Sequence, residues 1–257
     1  MWNKIIQIWK INDLRKSILF VLSMLIIFRI AAHIPIPGVD TVALKSLFQN
    51  NQLLGLMNIF SGGSMENFSV VLLGIAPYIT ASIIFQLLTM VIPQLEELSK
   101  EGDYGRKKIN QWTRWLTVPL AFFQSFAMIT LLRQSAINVL PNYTSWQVLT
   151  AMITITAGTV FLMWIGELIS EKHIGNGISL LIFAGIVSGL PTSVGSTLYT
   201  FDQAQIINMV IFAIIALITI IGVVIITEGQ RNISVSYARR VRGNKVYGGV
   251  DTHLPLR

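Results

Sequence analysis

The residue types that most often carry enzymatic or metal chemistry are sparse and scattered in this sequence. The three histidines, His33, His173 and His253, fall in three separate predicted loops, and none belongs to an HExxH pattern. The chain has no cysteine, which excludes disulfides, thiolate nucleophiles and Cys-ligated metal centres. A glycine-rich phosphate-binding loop is missing as well. The sequence therefore predicts neither an enzyme nor a cofactor or metal site.

The composition predicts a protein of the membrane. Of the 257 residues, 53% are hydrophobic and only 12% are charged, whereas about a quarter of the residues of a typical soluble domain are charged. The formal net charge of +7 would by itself suit a nucleic-acid partner, but the placement of the positive charges argues for a membrane topology instead. We therefore expect an all-α integral membrane protein with no specific DNA partner.

Six apolar stretches are candidates for helices that cross the membrane. A helix needs about 20 mainly apolar residues to cross the ~30 Å hydrocarbon layer. Four stretches meet this requirement well: residues 68–92, 115–132, 148–165 and 206–226. Residues 17–34 also suffice if Arg29 extends its guanidinium to the interface along its aliphatic stem. Residues 178–190 are short for a crossing, and by length alone they also fit a re-entrant or interfacial segment.

The positions of Lys and Arg indicate that residues 178–190 cross as well. Basic residues concentrate in the cytoplasmic loops of membrane proteins. With six spans and a cytoplasmic N-terminus, all of the 19 basic residues lie on the cytoplasmic side except Lys45 and Arg133 outside and Arg29 within a span. If residues 178–190 did not cross, the basic tail from residue 228 would lie outside. We therefore predict six crossing helices.

The predicted spans divide the chain into four parts. Residues 1–16 place apolar side chains at helical spacing between lysines, which favours a helix on the cytoplasmic interface. A cleaved signal is disfavoured because no small-x-small cleavage site follows. The remaining parts are the first five spans with a cytoplasmic loop at 93–114 (residues 17–190), an external hinge and the sixth span (191–227), and a basic cytosolic segment (228–257).

One segment between the first two spans does not suit a plain bundle of helices. Residues 53–60 are apolar but too few to cross, and they continue into Ser61-Gly62-Gly63-Ser64. Glycine tolerates positive φ angles and so permits a sharp reversal of the chain. The pattern predicts a short helix that dips into the membrane and turns back, which requires that the turn be buried in protein or line a cavity. An external interfacial loop is the alternative.

Two predicted spans carry isoleucines four residues apart. Ile75 and Ile79 in one span, and Ile182 and Ile186 in another, each lie one turn apart on a helical face. Small residues that permit close helix approach accompany both pairs: Gly74, Ala76, Ala184 and Gly185. The isoleucines would then project as a narrow apolar collar, although ordinary packing of membrane helices explains the same spacing.

The C-terminal segment combines basic residues with a turn signal. Two short β-prone runs flank Gly243-Asn244, so they can pair as a hairpin projecting into the cytosol. Its positive charge suits anionic lipid, ribosomal RNA or an acidic protein surface. Simple anchoring of the topology by positive charge is the alternative.

A small-solute permease or an ion channel is the alternative class of protein. Such proteins place ionisable groups in the middle of the membrane to bind ions or protons. Here the charges nearest to the spans lie close to predicted span ends, namely Arg29, Glu167 and Glu228. The implied lining is apolar, which suits a passage that binds no transported molecule tightly.

Motifs along nearly the whole chain resemble the SecY family, whose members form the pore subunit of the bacterial protein-conducting channel. Residues 60–88, FSGGSMENFSVVLLGIAPYITASIIFQLL, resemble the plug and second helix of the family, and residues 173–191, HIGNGISLLIFAGIVSGLP, resemble its fifth helix. The loop between its sixth and seventh helices resembles SYARRVRGNKVYGG and THLPLR of the tail. PIPGVD at residues 35–40 and EGDYGRKKINQWTRW at residues 101–115 also match.

The resemblance implies a fold and a set of functional residues. The fold is a ten-helix channel of two inverted halves, of which this chain would supply the first half, with six transmembrane helices and a short re-entrant plug helix. The implied pore ring is Ile75, Ile79, Ile182 and Ile186. The implied plug segment, about residues 53–64, includes Gly55, Leu56, Met57, Asn58, Ile59, Phe60, Ser61, Gly62, Gly63 and Ser64. The implied lateral gate holds Thr80, Ile84 and Gln86, and the implied docking loop holds Arg239, Arg240, Arg242 and Lys245.

The resemblance also implies a function and partners. Unfolded preproteins would cross the bacterial cytoplasmic membrane through the pore, membrane proteins would leave sideways, and the pore ring and plug would seal it at rest. The expected partners are SecE and SecG, the SecA motor ATPase or a translating ribosome, signal peptides and nascent chains, and anionic lipids. Since helices seven to ten of the family lie beyond residue 257, a second half of the channel is expected too.

Overall fold

The computed structural model describes residues 11–135, 143–199, 206–236, 240–242, 245–247 and 251–256. Over these residues the chain forms nine helices and four strands. The helices are α1 (Asn12–Ala32), α2 (Thr41–Asn50), α3 (Gln52–Phe60), α4 (Ala76–Val91), α5 (Pro93–Lys100), α6 (Asp103–Arg133), α7 (Ser145–Ser170), α8 (Gly177–Tyr199) and α9 (Ile206–Glu228). The strands are β1 (Arg231–Ser236), β2 (Arg240–Arg242), β3 (Lys245–Tyr247) and β4 (Asp251–Leu256).

Polar residues before three helices explain where these helices begin. The Asp40 carboxylate accepts the backbone N–H groups of Val42 and Ala43 at N···O distances of 2.9 and 3.1 Å. Asn51 before α3 and Asn176 before α8 accept backbone N–H groups in the same way. Such caps satisfy donors that have no partner within the first turn of a helix. The Asp40 cap therefore starts α2, a helix that the hydropathy pattern does not predict.

Three described helices are long and apolar enough to cross a membrane: Asp103–Arg133, Ser145–Ser170 and Ile207–Glu228. A fourth is added if α4 and α5, which are bent by 104° against each other, count as one span. The other two predicted spans, α1 and α8, are also helical but are not among these three. Helix α1 carries four charged residues, namely Asp13, Arg15, Lys16 and Arg29. The apolar part of α8, Gly177–Pro191, is short.

The second predicted span becomes helical later than its hydropathy indicates. Residues 61–75 form turns, and α4 begins only at Ala76. Phe68 and Gly74 have φ angles of 45° and 57°, which an α-helix does not permit. The apolar side chains of this segment are instead buried within the protein, as Val71 and Leu72 are. High hydropathy here reflects burial in a folded core and not helix formation.

Two other boundaries differ from the sequence prediction. Helix α8 continues through Pro191 to Tyr199, so the predicted hinge begins as helix. Proline removes one helical N–H···O bond, but here the helix continues past it. Helix α1 begins at Asn12, so residues 12–16 of the predicted interfacial helix are continuous with the first predicted span. No residue between Asn12 and Ser17 is of a type that ends a helix. The rest of the predicted interfacial helix, residues 1–10, lies outside the described residues.

The chain divides into two compact units, Met1–Gly195 and Ser196–Arg257. In the first unit, α4 packs against α6, α6 against α7, and α1 against α7. One apolar core joins α2, α3, α6 and α7 to the turn segment, and a second joins α1, α7 and α8. In the second unit, β1 pairs with β4 and β2 pairs with β3, both antiparallel. The β2–β3 pairing across residues 243–244 confirms the predicted hairpin.

Candidate pore lining and plug

The predicted plug segment and part of the predicted pore ring, which keep these names below, border one cavity of about 240 Å³. Met57 of α3 and Ser61 of the following turn lie on one side. Ile75, Ile79 and Ile182 lie around the same space. The other described lining residues are Met65, Leu73, Gly74 and Ala76. Apart from Ser61, the named lining side chains carry no hydrogen-bonding group except thioether sulfur, so the lining of the cavity is almost entirely apolar.

Two of the four predicted pore-ring isoleucines, Ile75 and Ile79, are held in place by the second core. Ile75 lies just before α4, where its carbonyl accepts the first helical bond from Ile79 at 3.1 Å. It is 7% exposed and belongs to a core with Leu181, the neighbour of Ile182. Ile79 and Ile182 are half-buried. Packing in this core therefore positions Ile75 and Ile79.

Ile186 does not border this cavity. It lines a second cavity of about 290 Å³ on the Gly62 side of the plug turn. Polar residues of this second cavity are Arg29, His33, Asn58, Glu66, Asn67 and Ser188. The described structure therefore brings three of the four pore-ring residues together, and it places Ile186 one turn further along α8, in a polar setting.

Hydrogen bonds fix the shape of the plug segment. Residues Gly55, Leu56, Met57, Asn58, Ile59 and Phe60 lie in α3, and Ser61, Gly62, Gly63 and Ser64 form the turn after it. The Asn58 side chain donates to the Glu66 carboxylate at 2.9 Å and accepts from the Glu66 backbone N–H at 3.1 Å. The Ser64 hydroxyl donates to the Ser61 carbonyl at 2.9 Å. The segment is thus a short helix closed by a bonded turn, as the sequence predicts.

The plug turn packs tightly against two helices. Gly62 has a φ angle of +69°, and a Cβ added there would lie 2.9 Å from the Cα of Gly185 in α8. The Arg29 guanidinium of α1 donates to the Gly62 carbonyl at 2.7 Å. The Arg29 side chain therefore supplies a donor to the backbone of the plug turn. That its guanidinium reaches the membrane interface stays a prediction.

The predicted lateral-gate residues all lie on α4, but they do not form one patch. Thr80 and Ile84 are one turn apart on one face, whereas Gln86 points to another side. The Gln86 amide donates to the Ser82 hydroxyl at 3.4 Å and lines a cavity of about 170 Å³ with Thr113 of α6. Thr80 donates to the Ala76 carbonyl of its own helix at 3.0 Å.

Most of the predicted docking residues lie on the hairpin. Arg240 and Arg242 begin and end β2, and Lys245 begins β3, where it is the register partner of Arg242. Arg239 lies outside the described residues. The hairpin therefore places three of the four basic residues within one short two-stranded ribbon.

Sequence reasoning did not find an ion pair between α6 and α7. The Arg114 guanidinium and the Glu167 carboxylate approach to 2.5 Å, with side-chain exposures of 48% and 21%. Each residue is noticeable as a charge at a span end, but the sequence does not indicate that the two helices meet there.

A second contact that the sequence does not predict joins the loop after α1 to Tyr143. The Tyr143 hydroxyl donates to the Pro37 carbonyl at 3.0 Å. Burial raises the pKa of this phenol.

The helices and cavities place the chain among polytopic α-helical membrane proteins. A family model described as SecY matches residues 69–257. The protein translocase subunit SecY of Vibrio cholerae is 44% identical over 251 residues, which cover 96% of this chain and 56% of the relative. The SecY subunit of Corynebacterium glutamicum is 47% identical over 270 residues, covering 98% and 59%. The chain belongs to the SecY family.

Solved structures agree with this fold. A protein-conducting channel matches with a TM-score of 0.56 and 18% identity over 92% of this chain and 51% of the channel chain. Sec61 from a canine ribosome–channel complex of the endoplasmic reticulum matches with a TM-score of 0.52 and 19% identity, over 79% and 46%. The chain spans a little more than half the length of the relatives from Vibrio and Corynebacterium. Its fold is that of about half of a protein-conducting channel.

Proposed function

We propose that this chain is the first half of the pore subunit of a protein translocase, which passes unfolded preproteins across the cytoplasmic membrane and releases membrane proteins sideways. The observation that carries the proposal is the 240 Å³ cavity in which Ile75, Ile79 and Ile182 meet the plug segment. The relatives named protein translocase subunit SecY support the same function.

An apolar collar can seal a pore without closing it permanently. An ion that enters such a constriction loses its hydration and gains no polar partner, which is costly, and hydrophobic constrictions also exclude water. An unfolded polypeptide can push the branched side chains aside by rotamer changes. The isoleucines offer no hydrogen bond that would retain a particular sequence, so many different chains can pass.

The plug segment supplies a second barrier on one side of the collar. Met57 and Ser61 border the same cavity as Ile75, Ile79 and Ile182, and we infer that this arrangement is the resting state. Insertion of a signal peptide beside α4, at the proposed lateral gate of Thr80, Ile84 and Gln86, shifts the equilibrium towards a state with the plug displaced. Because this chain contains no nucleotide-binding motif, the energy for transport comes from a partner or from the membrane potential.

The complete channel needs further components. The second half, helices seven to ten, forms the other side of the collar and of the gate, and SecE and SecG complete the complex in the bacterial cytoplasmic membrane. The distribution of Lys and Arg supports a cytoplasmic N-terminus and a cytoplasmic basic tail. The hairpin then lies where SecA, a translating ribosome or anionic lipids can bind it.

Charge reversal in the basic hairpin is expected to weaken motor binding and leave the membrane part folded. Arg239→Glu with Arg240→Glu should lower the affinity for SecA or ribosomes by roughly tenfold or more at low salt, because like charges then face each other across the interface. Binding of purified SecA or ribosomes to membranes with the full-length channel measures this. Lys45→Glu, an exposed change in α2, is the control. Wild-type affinity of the double variant would mean that these arginines only anchor the topology.

Transport of a polypeptide separates the proposal from the alternative of a solute permease. The full-length channel with SecE and SecG is reconstituted in vesicles, and SecA, ATP and a preprotein are added outside. We expect signal-dependent protection of the preprotein from external protease. Stoichiometric uptake of an ion or metabolite without any protection of preprotein would overturn the proposal.

A further inference from the structure

One charged side chain of the first compact unit has no role in the function proposed so far. Arg29 lies in α1, is half-buried, and donates its guanidinium N–H to the Gly62 carbonyl at 2.7 Å. The two residues are 33 positions apart, so the bond joins α1 directly to the plug turn. A charged side chain among apolar residues of a span is costly and therefore marks a functional position.

The acceptor is placed where movement of the plug would break the bond. Gly62 lies close to both α8 and α1, since an added Cβ would lie 2.9 Å from the Gly185 Cα and 3.5 Å from the Arg29 guanidinium. The turn is thus wedged between α1 and α8. Any outward displacement of the plug must separate Gly62 from both helices.

The surroundings favour a bond that can be released. Arg29 lines the 290 Å³ polar cavity together with Glu66, but the Glu66 carboxylate accepts from Asn58 instead. Among the described residues, Arg29 forms no ion pair with a carboxylate. A guanidinium bonded to a neutral carbonyl is held less strongly than one in a bidentate carboxylate pair. His33, just after α1, and Ser188 of α8 line the same cavity without belonging to the plug segment, so they can solvate the guanidinium once the plug has left.

We propose that Arg29 is a positioning residue that holds the plug closed through the Gly62 carbonyl. The proposal rests on the function proposed above and adds the contact that sets the balance between closed and open plug. Loss of the bond favours the open plug in the absence of a signal peptide. Without this bond, preproteins with weaker signal sequences can also open the channel.

Residues 1–257 contain no cysteine, so one introduced cysteine can report the position of the plug in a full-length channel whose other cysteines are replaced by serine. Ser64→Cys introduces a thiol into the chain at a fully buried site of the plug turn, with little change in volume. In the resting full-length channel this thiol should react slowly with a water-soluble maleimide. Arg29→Met is then compared with Arg29→Lys, which keeps the charge, and with Arg15→Met, the same substitution at an exposed position of the same helix.

We expect Arg29→Met to raise the labelling rate of Cys at position 64 by ~10-fold to ~100-fold, in line with the strength of hydrogen bonds to charged groups. The same variant should raise ion leak and admit preproteins with defective signal sequences. Arg29→Lys should lie between Arg29→Met and the parent, and Arg15→Met should match the parent. Gly62→Ala, which forces the turn away from Gly185, should reproduce the effect with Arg29 intact.

Other outcomes would contradict either the Arg29 proposal or the proposed function. Unchanged labelling and unchanged leak in Arg29→Met, with pore-ring variants that do leak, would overturn the Arg29 proposal and leave the channel function standing. Loss of transport of a preprotein with an intact signal sequence would also overturn it, because Arg29 would then be needed for folding and not for plug position. If pore-ring variants do not leak either, the proposed function itself fails.

Discussion

Glycine substitution of the whole pore ring is expected to raise the ion leak of the resting full-length channel by at least about tenfold. The substituted residues are Ile75, Ile79, Ile182 and Ile186. Without branched side chains the collar widens and admits water, so the dehydration barrier for ions falls. Preproteins with defective signal sequences should cross as well, since less energy is needed to open a loosened seal. Conductance of planar bilayers and a secretion assay measure the two effects.

The geometry makes the ring prediction more specific. Ile75, Ile79 and Ile182 share the cavity with the plug, whereas Ile186 borders the polar cavity. The triple glycine variant should therefore produce most of the leak, and Ile186→Gly the least. The matched control replaces four exposed isoleucines of α9 by glycine: Ile207, Ile211, Ile214 and Ile218. Equal leak in this control, or no leak in the ring variant, would count against the pore-ring assignment.

Alanine at Gly158 is expected to cause a large loss of stability. A Cβ at this position of α7 would lie 2.0 Å from the carbonyl oxygen of Val70 and 2.8 Å from its carbonyl carbon. These atoms belong to the backbone of the turn segment before α4, so they cannot rotate away. Overpacking of this kind costs about 2 kcal/mol. Thermal unfolding of the purified protein in detergent measures the change.

Gly222→Ala is the matched control for this prediction. Apart from its chain neighbours and its own helix backbone, no atom of the described residues lies within 4 Å of a Cβ built at Gly222 of α9. Alanine also favours a helix over glycine by up to about 1 kcal/mol. The control should leave the melting temperature unchanged or raise it. If Gly158→Ala is equally harmless, the turn segment does not pack on α7 as described.

The sequence predicts those elements whose cause is local. Helices α6, α7 and α9 follow from long apolar runs, because a span in lipid must satisfy its backbone within one helix. The β2–β3 hairpin follows from β-prone runs on both sides of a two-residue turn signal. The short helix and turn of the plug segment follow from an apolar run that ends in two glycines.

The remaining features depend on contacts between distant parts of the chain. Residues 68–75 are as apolar as a span, yet they are buried as turns, and hydropathy does not distinguish burial in protein from burial in lipid. The destination of Arg29 depends on a carbonyl 33 residues away. Gln86 lies on a different face of α4 from Thr80, because six residues correspond to about 1.7 turns of an α-helix. Such details require the packed structure.

Cross-linking of a polypeptide in transit tests the central claim most directly. Ile79→Cys provides a thiol on the collar of this cysteine-free chain, and a preprotein with one cysteine near its middle is stalled during transport through the full-length channel. The account predicts a cross-link at Ile79→Cys and at Ile182→Cys that depends on the signal sequence, and much less at Ile211→Cys of α9. Cross-linking absent from both collar positions, while the preprotein still crosses, would contradict the claim that chains pass through this collar.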